Sequence, residues 1–169
     1  MIISQTERLT IRWFTLADAP FILNLVNQQS WLEYIGDKGV RHLKDAETYI
    51  QLVIDTYQKH GFGLYLVEKS SSSETIGICG LVKRESLQDF DIGFALLPQF
   101  EGNGYAFESA SAILQLAKDE FKLQRIAAIC TPDNHSSIML LEKLGFRLDL
   151  SSFPDPNGKP LKLFTVALG

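Results

Sequence analysis

The sequence is short of the residues on which several common functions depend. Its two cysteines, Cys79 and Cys130, each sit in an apolar, strand-like run. That argues against a disulfide scaffold and for two reduced core thiols. Its three histidines, His42, His60 and His135, lie far apart and lack ligand spacing, so no metal is expected. No apolar run approaches the ~20 residues of a membrane-crossing helix, so no membrane partner is expected. The stretch from Met1 to Arg8 has no basic region followed by an apolar core, so no signal peptide is expected and a cytoplasmic protein is. Positive charge is scarce and scattered: 16 Lys and Arg against 20 Asp and Glu give a net charge of −4. That weighs against a nucleic-acid partner.

What remains is an ordinary globular composition. The chain has 169 residues, 46% hydrophobic and 21% charged, enough for one domain spanning residues 1–169 with a sizeable core, as a monomer or a homodimer. Thr6 to Trp13 alternates as a strand. Asp18 is placed to cap a helix with Pro20 just inside it and Phe21, Ile22, Leu25 and Val26 on its buried face. Trp31, Tyr34 and Ile35 follow, as a pocket lining or a packed helix corner. Asp45 opens a second helix with Ala46, Tyr49, Ile50, Val53, Ile54 and Tyr57 inward, ended by Gly61. Phe62–Glu68 and Thr75–Val82 read as a hairpin across the short polar turn at Lys69–Glu74. Phe90–Leu97 and Arg125–Cys130 are strands, and Ser136-Ser137 opens a helix that stops at Gly145. Phe146–Leu150 and Lys162–Ala167 are the closing strands, with Pro154–Gly158 as a turn between them. The order is β-α-α-β-β-β-α-β-α-β-β, a mixed α/β arrangement.

The chemistry concentrates between the strand ending at Leu97 and a helical pattern that places Ala106, Ala110, Ile113, Leu114 and Ala117 on one face. Between them lies Gln99-Phe100-Glu101-Gly102-Asn103-Gly104. Glycines there let the backbone turn sharply and a ligand come close. The helix start that follows leaves N–H groups unpaired at the positive end of the dipole, which suits a phosphate or pyrophosphate. An ATP-type phosphate loop needs a Gly-Lys-Ser/Thr ending that is missing, and the dinucleotide fingerprint needs a third glycine where Phe107 stands. A nucleotide-binding module is therefore disfavoured. A ligand-free glycine turn stays open.

The pattern Q-x-x-G-x-G resembles the acyl-CoA pyrophosphate loop of the GNAT N-acetyltransferases. Asn134 to Phe146 resembles the family's N-x-x-S-x-x-x-x-E-K-L-G-F, and Asp91-Ile92-Gly93-Phe94 its E-I-G-Y strand. Thr6-Glu7-Arg8-Leu9-Thr10-Ile11-Arg12 and Gly104-Tyr105-Ala106-Phe107-Glu108-Ser109 resemble motifs of the RimJ/RimL-like, ribosomal-protein branch. The resemblance runs from residue 6 to about residue 150. It implies a single-domain mixed, mostly antiparallel sheet flanked by helices, with a splayed pair of strands holding acyl-CoA. It also implies acetyl-CoA as co-substrate, no metal, and transfer to a primary amine (a protein N-terminal α-amine or a small-molecule amine) by direct attack on the thioester. The alternative is a catalytically inactive domain that binds or senses acyl-CoA.

Carried onto this sequence, the resemblance implies cofactor contacts at Gln99, Gly102, Asn103, Gly104, Tyr105 and Ala106. Free backbone groups at Ala95, Leu96 and Leu97 are expected to pair with the pantetheine arm, and Asn134 either binds CoA or forms a plain Asx turn. Ser137 is the candidate acid for the departing thiolate or a mere helix-start serine. Asp91 is the candidate base, with Glu85 and Glu33 as alternatives. Three departures stand out. Asp91 replaces the usual Glu. Glu101 brings negative charge to the loop. Asn103 replaces a frequent Lys or Arg, so weaker CoA binding is expected unless Glu101 points to solvent. The acceptor pocket is expected from Trp31–Val40, Lys83–Asp89 and Ser151–Pro160, with acidic groups drawing in a cationic amine.

Overall fold

The computed structural model describes residues 1–154 and 158–169. Among the described residues, eight strands join one sheet in the order β1-β2-β3-β4-β5-β6-β8-β7. They are β1 (Ile2–Gln5), β2 (Leu9–Arg12), β3 (Leu64–Lys69), β4 (Thr75–Val82), β5 (Asp91–Leu96), β6 (Arg125–Cys130), β7 (Arg147–Pro154) and β8 (Pro160–Ala167). Every neighbouring pair is antiparallel except β5 and β6. Among the described residues, five α-helices flank the sheet: α1 (Ala19–Leu25), α2 (Gln29–Tyr34), α3 (Leu43–His60), α4 (Tyr105–Asp119) and α5 (His135–Lys143). Helix α1 packs on α3, α4 on β2, β4 and β5, and α5 beside β6.

The N-terminal strand is shorter than its alternation suggests. Thr6 bonds both backbone groups of Leu9, its N–H to the Leu9 carbonyl at 2.8 Å and its hydroxyl accepting the Leu9 N–H at 3.0 Å. Residues 6–8 therefore form a turn, and an unforeseen edge strand, β1, precedes it. Asp18 does not cap α1 through its side chain. Its carboxylate accepts from the Arg12 guanidinium at 2.9 and 3.0 Å and from the Thr15 N–H at 2.8 Å. It closes the 3₁₀ turn before α1 through that Thr15 N–H, while the Arg12 fork engages both of its oxygens. Of the expected α1 face, Ile22, Leu25 and Val26 are buried and Phe21 is half-buried.

Helix α3 starts two residues before Asp45, whose carboxylate accepts the N–H groups of Arg41 and His42 at 3.0 and 3.2 Å. It ends at Gly61 (φ +83°). In α4, Ala110, Ile113 and Ala117 are buried as expected, while Ala106 and Leu114 are half-buried. The hairpin strands and β6 fall close to their expected positions. Strand β7 runs further than the expected Phe146–Leu150, and β8 begins earlier than Lys162, because the two pair out to Pro154 and Pro160. Asp155, Pro156 and Asn157 of the expected turn lie outside the described residues. Cys79 and Cys130 are free and buried, and burial pushes their thiols up to about 12 and about 11.

Candidate active site

Strands β5 and β6 touch at one end only. Asp91 pairs with Ala127, whose N–H donates to the Phe90 carbonyl at 2.9 Å. Beyond that point β5 stays with β4 as far as Leu96, while β6 turns to β8 as far as Cys130. The sheet therefore opens between its two parallel strands, and helices α4 and α5 start beyond the open ends. A site at the carboxyl ends of parallel strands is where open α/β sheets bind ligands.

Of the three residues expected to offer free backbone groups to this gap, only Leu96 does. The Leu97 N–H donates to Ile76 at 2.9 Å, and its carbonyl accepts the Phe100 N–H at 2.9 Å. Alternation along the strand then turns Ala95 toward β4 as well, and Phe94 and Leu96 toward the gap. Ala95 instead lines the cavity described below, as do Asp91 and Gly93. A Cβ at Gly93 would meet only Leu64 and Val82, at 3.5 and 3.9 Å. The small residues of this strand thus leave the floor beside Asp91 open.

The glycine loop leaves β5 through a 3₁₀ turn, Pro98–Phe100, and enters α4 at Gly104, with φ of +78° at Gly102 and +82° at Gly104. The N–H groups of Gly102, Asn103 and Gly104 find no backbone carbonyl among the described residues. Gln99, Glu101 and Asn103 are exposed, so the Glu101 charge is solvated. The Asn103 amide braces the turn by donating to the carbonyls of Phe100 and Glu101 at 3.3 and 3.1 Å.

Arg8, a residue to which sequence reasoning gave no role, reaches this loop from the N-terminal turn. Its Nη1 donates to the Asn103 carbonyl at 3.0 Å, and its guanidinium lies 4.4 Å from the Tyr105 ring centre. Glu108 orients it through its Nε at 2.7 Å and its backbone N–H at 2.9 Å. Burial opposes the Glu108 charge, but hydrogen bonds from Thr6 and Arg8 outweigh it and hold the carboxyl below the usual range. A fixed cation therefore stands beside the loop although position 103 is Asn. The two motifs that meet here are 100 residues apart, and only their joint presence could have signalled the pair.

Below the gap lies a cavity of about 900 Å³. The structure brings Asp91, Ala95, Asn134 and Ser137 into its walls. Leu96, Leu97, Gln99, Gly102, Asn103, Gly104, Tyr105 and Ala106 lie outside those walls, further along β5 and its loop. Asp91 is 2% exposed. Burial pushes its carboxyl up to about 6, against the pull of the Arg84 guanidinium, whose Nε donates to both oxygens at 3.2 Å. A buried carboxyl that titrates near neutrality suits proton transfer. Of the alternative bases, Glu85 lines the cavity and Glu33 does not.

Asn134 caps α5, its Oδ1 accepting the Ser137 N–H at 3.3 Å. The Ser137 hydroxyl makes no hydrogen bond among the described residues. Two buried polar atoms in the walls also lack partners among the described residues: the Thr131 hydroxyl at the end of β6 and the Trp31 indole N–H.

All three expected acceptor segments contribute to the walls, with Trp31 and Lys38 from the first, Arg84 and Glu85 from the second, and Lys159 from the third. Helix α3 adds Tyr49, Thr56 and His60, which sequence reasoning had assigned only to packing or left out. The expectation of acidic surroundings is corrected. Lys38, Lys83, Arg84 and Lys159 stand in the walls against Glu85 and Asp91, because the connections that border the cavity bring more basic than acidic side chains to it.

The sequence and the fold are similar to those of known proteins. Uncharacterized N-acetyltransferase YoaA of Bacillus subtilis is 28% identical over 161 residues, covering 94% of this chain and 91% of that one. A GNAT-family acetyltransferase from Bacillus anthracis superposes with a TM-score of 0.82 at 25% identity, over 99% of both chains. RimL, a ribosomal-protein acetyltransferase solved in complex with coenzyme A, superposes with a TM-score of 0.84 at 20% identity, over 99% of this chain and 98% of that one. Residues 8–147 match the acetyltransferase (GNAT) domain, and the chain belongs to that family of acyltransferase enzymes.

Proposed function

We propose that the chain moves the acetyl group of acetyl-CoA to a primary amine inside this cavity, in the manner of the RimJ/RimL-like branch. The acceptor is a protein N-terminal α-amine or a small-molecule amine. The observation that carries the reading is the parting of β5 and β6 just beyond Asp91, directly over a cavity whose walls hold Asp91, Asn134 and Ser137. The residues present fit acetyl-CoA. The backbone of Phe94 and Leu96 and the unpartnered Thr131 hydroxyl suit the pantetheine amides. Gln99, Gly102, Asn103, Gly104, Tyr105 and Ala106 suit the pyrophosphate, with Arg8 beside them, and Asn134 steadies the opposite wall. Acetyl-CoA supplies the activated thioester carbonyl.

Asp91 takes the proton that the amine loses as its nitrogen attacks, directly or through a water. N–H groups on the gap side of β5 face the oxygen on which charge develops. Ser137 gives its hydroxyl proton to the sulfur as the carbon–sulfur bond breaks, and regains one from solvent. A cytoplasmic setting fits the two free thiols.

The test follows free thiol while acetyl-CoA is offered with a panel of amines and N-terminal peptides. Thiol is expected only with an amine present, in step with loss of that amine and faster as pH frees it. Binding of acetyl-CoA with no thiol from any amine would instead mark a sensing domain.

The pyrophosphate contact has its own test. At φ +82° a branched side chain is strained, and a Cβ on Gly104 would lie 3.3 Å from the Arg8 guanidinium. Gly104→Val is expected to weaken acetyl-CoA binding tenfold or more, about 1.4 kcal/mol. Unchanged affinity by calorimetry in a folded variant would remove the loop from the binding site.

A further inference from the structure

The protein carries a net charge of −4, yet cations dominate the walls of its cavity. Arg84 uses only its Nε on Asp91, leaving both terminal nitrogens without an acceptor among the described residues. Lys83 is engaged, its ammonium donating to the carbonyls of Arg84 and Leu87. Lys38, an exposed residue that lines the cavity, makes no ion pair or hydrogen bond among the described residues. Two like charges facing one cavity repel unless an anion joins them. Trp31, seven residues before Lys38 and also in the cavity lining, is 4% exposed, and its indole N–H has no acceptor among the described residues. A buried indole N–H with no protein acceptor is able to donate to a ligand oxygen.

We infer that Lys38, the free end of Arg84 and the Trp31 indole N–H form an anion-recognition subsite, and that the amine acceptor carries a carboxylate or phosphate group. The inference rests on the acetyl-transfer reading above and narrows its acceptor. The subsite holds the anionic end on the α2–α3 side. Asp91, anchored to the same Arg84, faces the amine end. The base and the anion site thus share one guanidinium, which fixes the spacing between the amine and the anionic group. Polycations are disfavoured by the same charges.

The experiment compares kcat/KM, per free amine, for matched acceptors: an amino acid against its amide, phosphoethanolamine against ethanolamine, and spermidine as the polycation. At least one anionic member is expected to exceed its neutral partner tenfold or more, and the pair with the larger ratio tells carboxylate from phosphate. Lys38→Met and Trp31→Phe, which keep bulk while removing the charge or the N–H, are expected to bring that ratio toward one, mainly through KM. Turnover with no anionic preference, or a preference that both variants leave intact, overturns the subsite while the acetyltransferase reading stands. Acetyl-CoA binding with no amine consumed overturns both.

Discussion

Asp91→Asn is expected to lower kcat/KM near pH 7 by about 10²- to 10³-fold, within the range for a positioned general base. The loss should shrink toward pH 9, where free amine is plentiful. In the unaltered protein the rate should rise through about pH 6 as the Asp91 carboxyl ionises, and that limb should vanish in the variant. The stability effect has the opposite sign. A carboxyl whose folded pKa is raised from 3.8 to about 6 favours the fold when protonated. That contribution is complete below about pH 4 and is lost as pH rises through 6. At pH 8 the native fold therefore bears a buried charge that Asn does not have, and Arg84, with 41% of its side chain exposed, remains solvated without its partner. The unfolding midpoint of Asp91→Asn at pH 8 should be no lower than that of the unaltered protein. A pH–rate profile of the same shape for both would take Asp91 out of the mechanism.

Ser137→Ala is expected to lower kcat by ~10²-fold, the low end for a positioned acid, with acetyl-CoA affinity unchanged. Helix α5 does not need this hydroxyl, because Asn134 already supplies the cap through the Ser137 backbone N–H. Alanine is also a better helix former than serine. Stability should therefore hold while turnover falls. Intact turnover would make Ser137 a bystander in the cavity wall.

Much of this was legible because it is local. A strand ending at Leu97, two glycines and a helical period identify the β5–α4 junction without any tertiary information. Asn134 and the spacing to Gly145 mark α5 in the same way. Asp91 could be picked out by its motif, but its raised pKa depends on burial and on Arg84, seven residues earlier, and the reversal between β4 and β5 brings the two together. The Arg8–Glu108 contact needs two ends of the chain to meet across the sheet, and no local pattern encodes that. Ala95 and Leu97 turn their backbone groups to β4 and not to the gap, and a strand read alone does not tell which edge each N–H faces. Here the Ile76 carbonyl decides it. The basic cavity was hidden by an acidic total, since net charge carries no information on where the few lysines and arginines gather.

Direct transfer from the thioester to an amine, as proposed here, leaves no acetyl group resting on the protein. The decisive measurement is a single turnover with acetyl-CoA labelled in the acetyl group and protein in excess, first without and then with an amine that supports thiol release. No thiol and no labelled protein are expected until the amine is added, and thiol and labelled amine should then appear together in one phase. Thiol released without amine, with the label held on the protein, would contradict direct transfer.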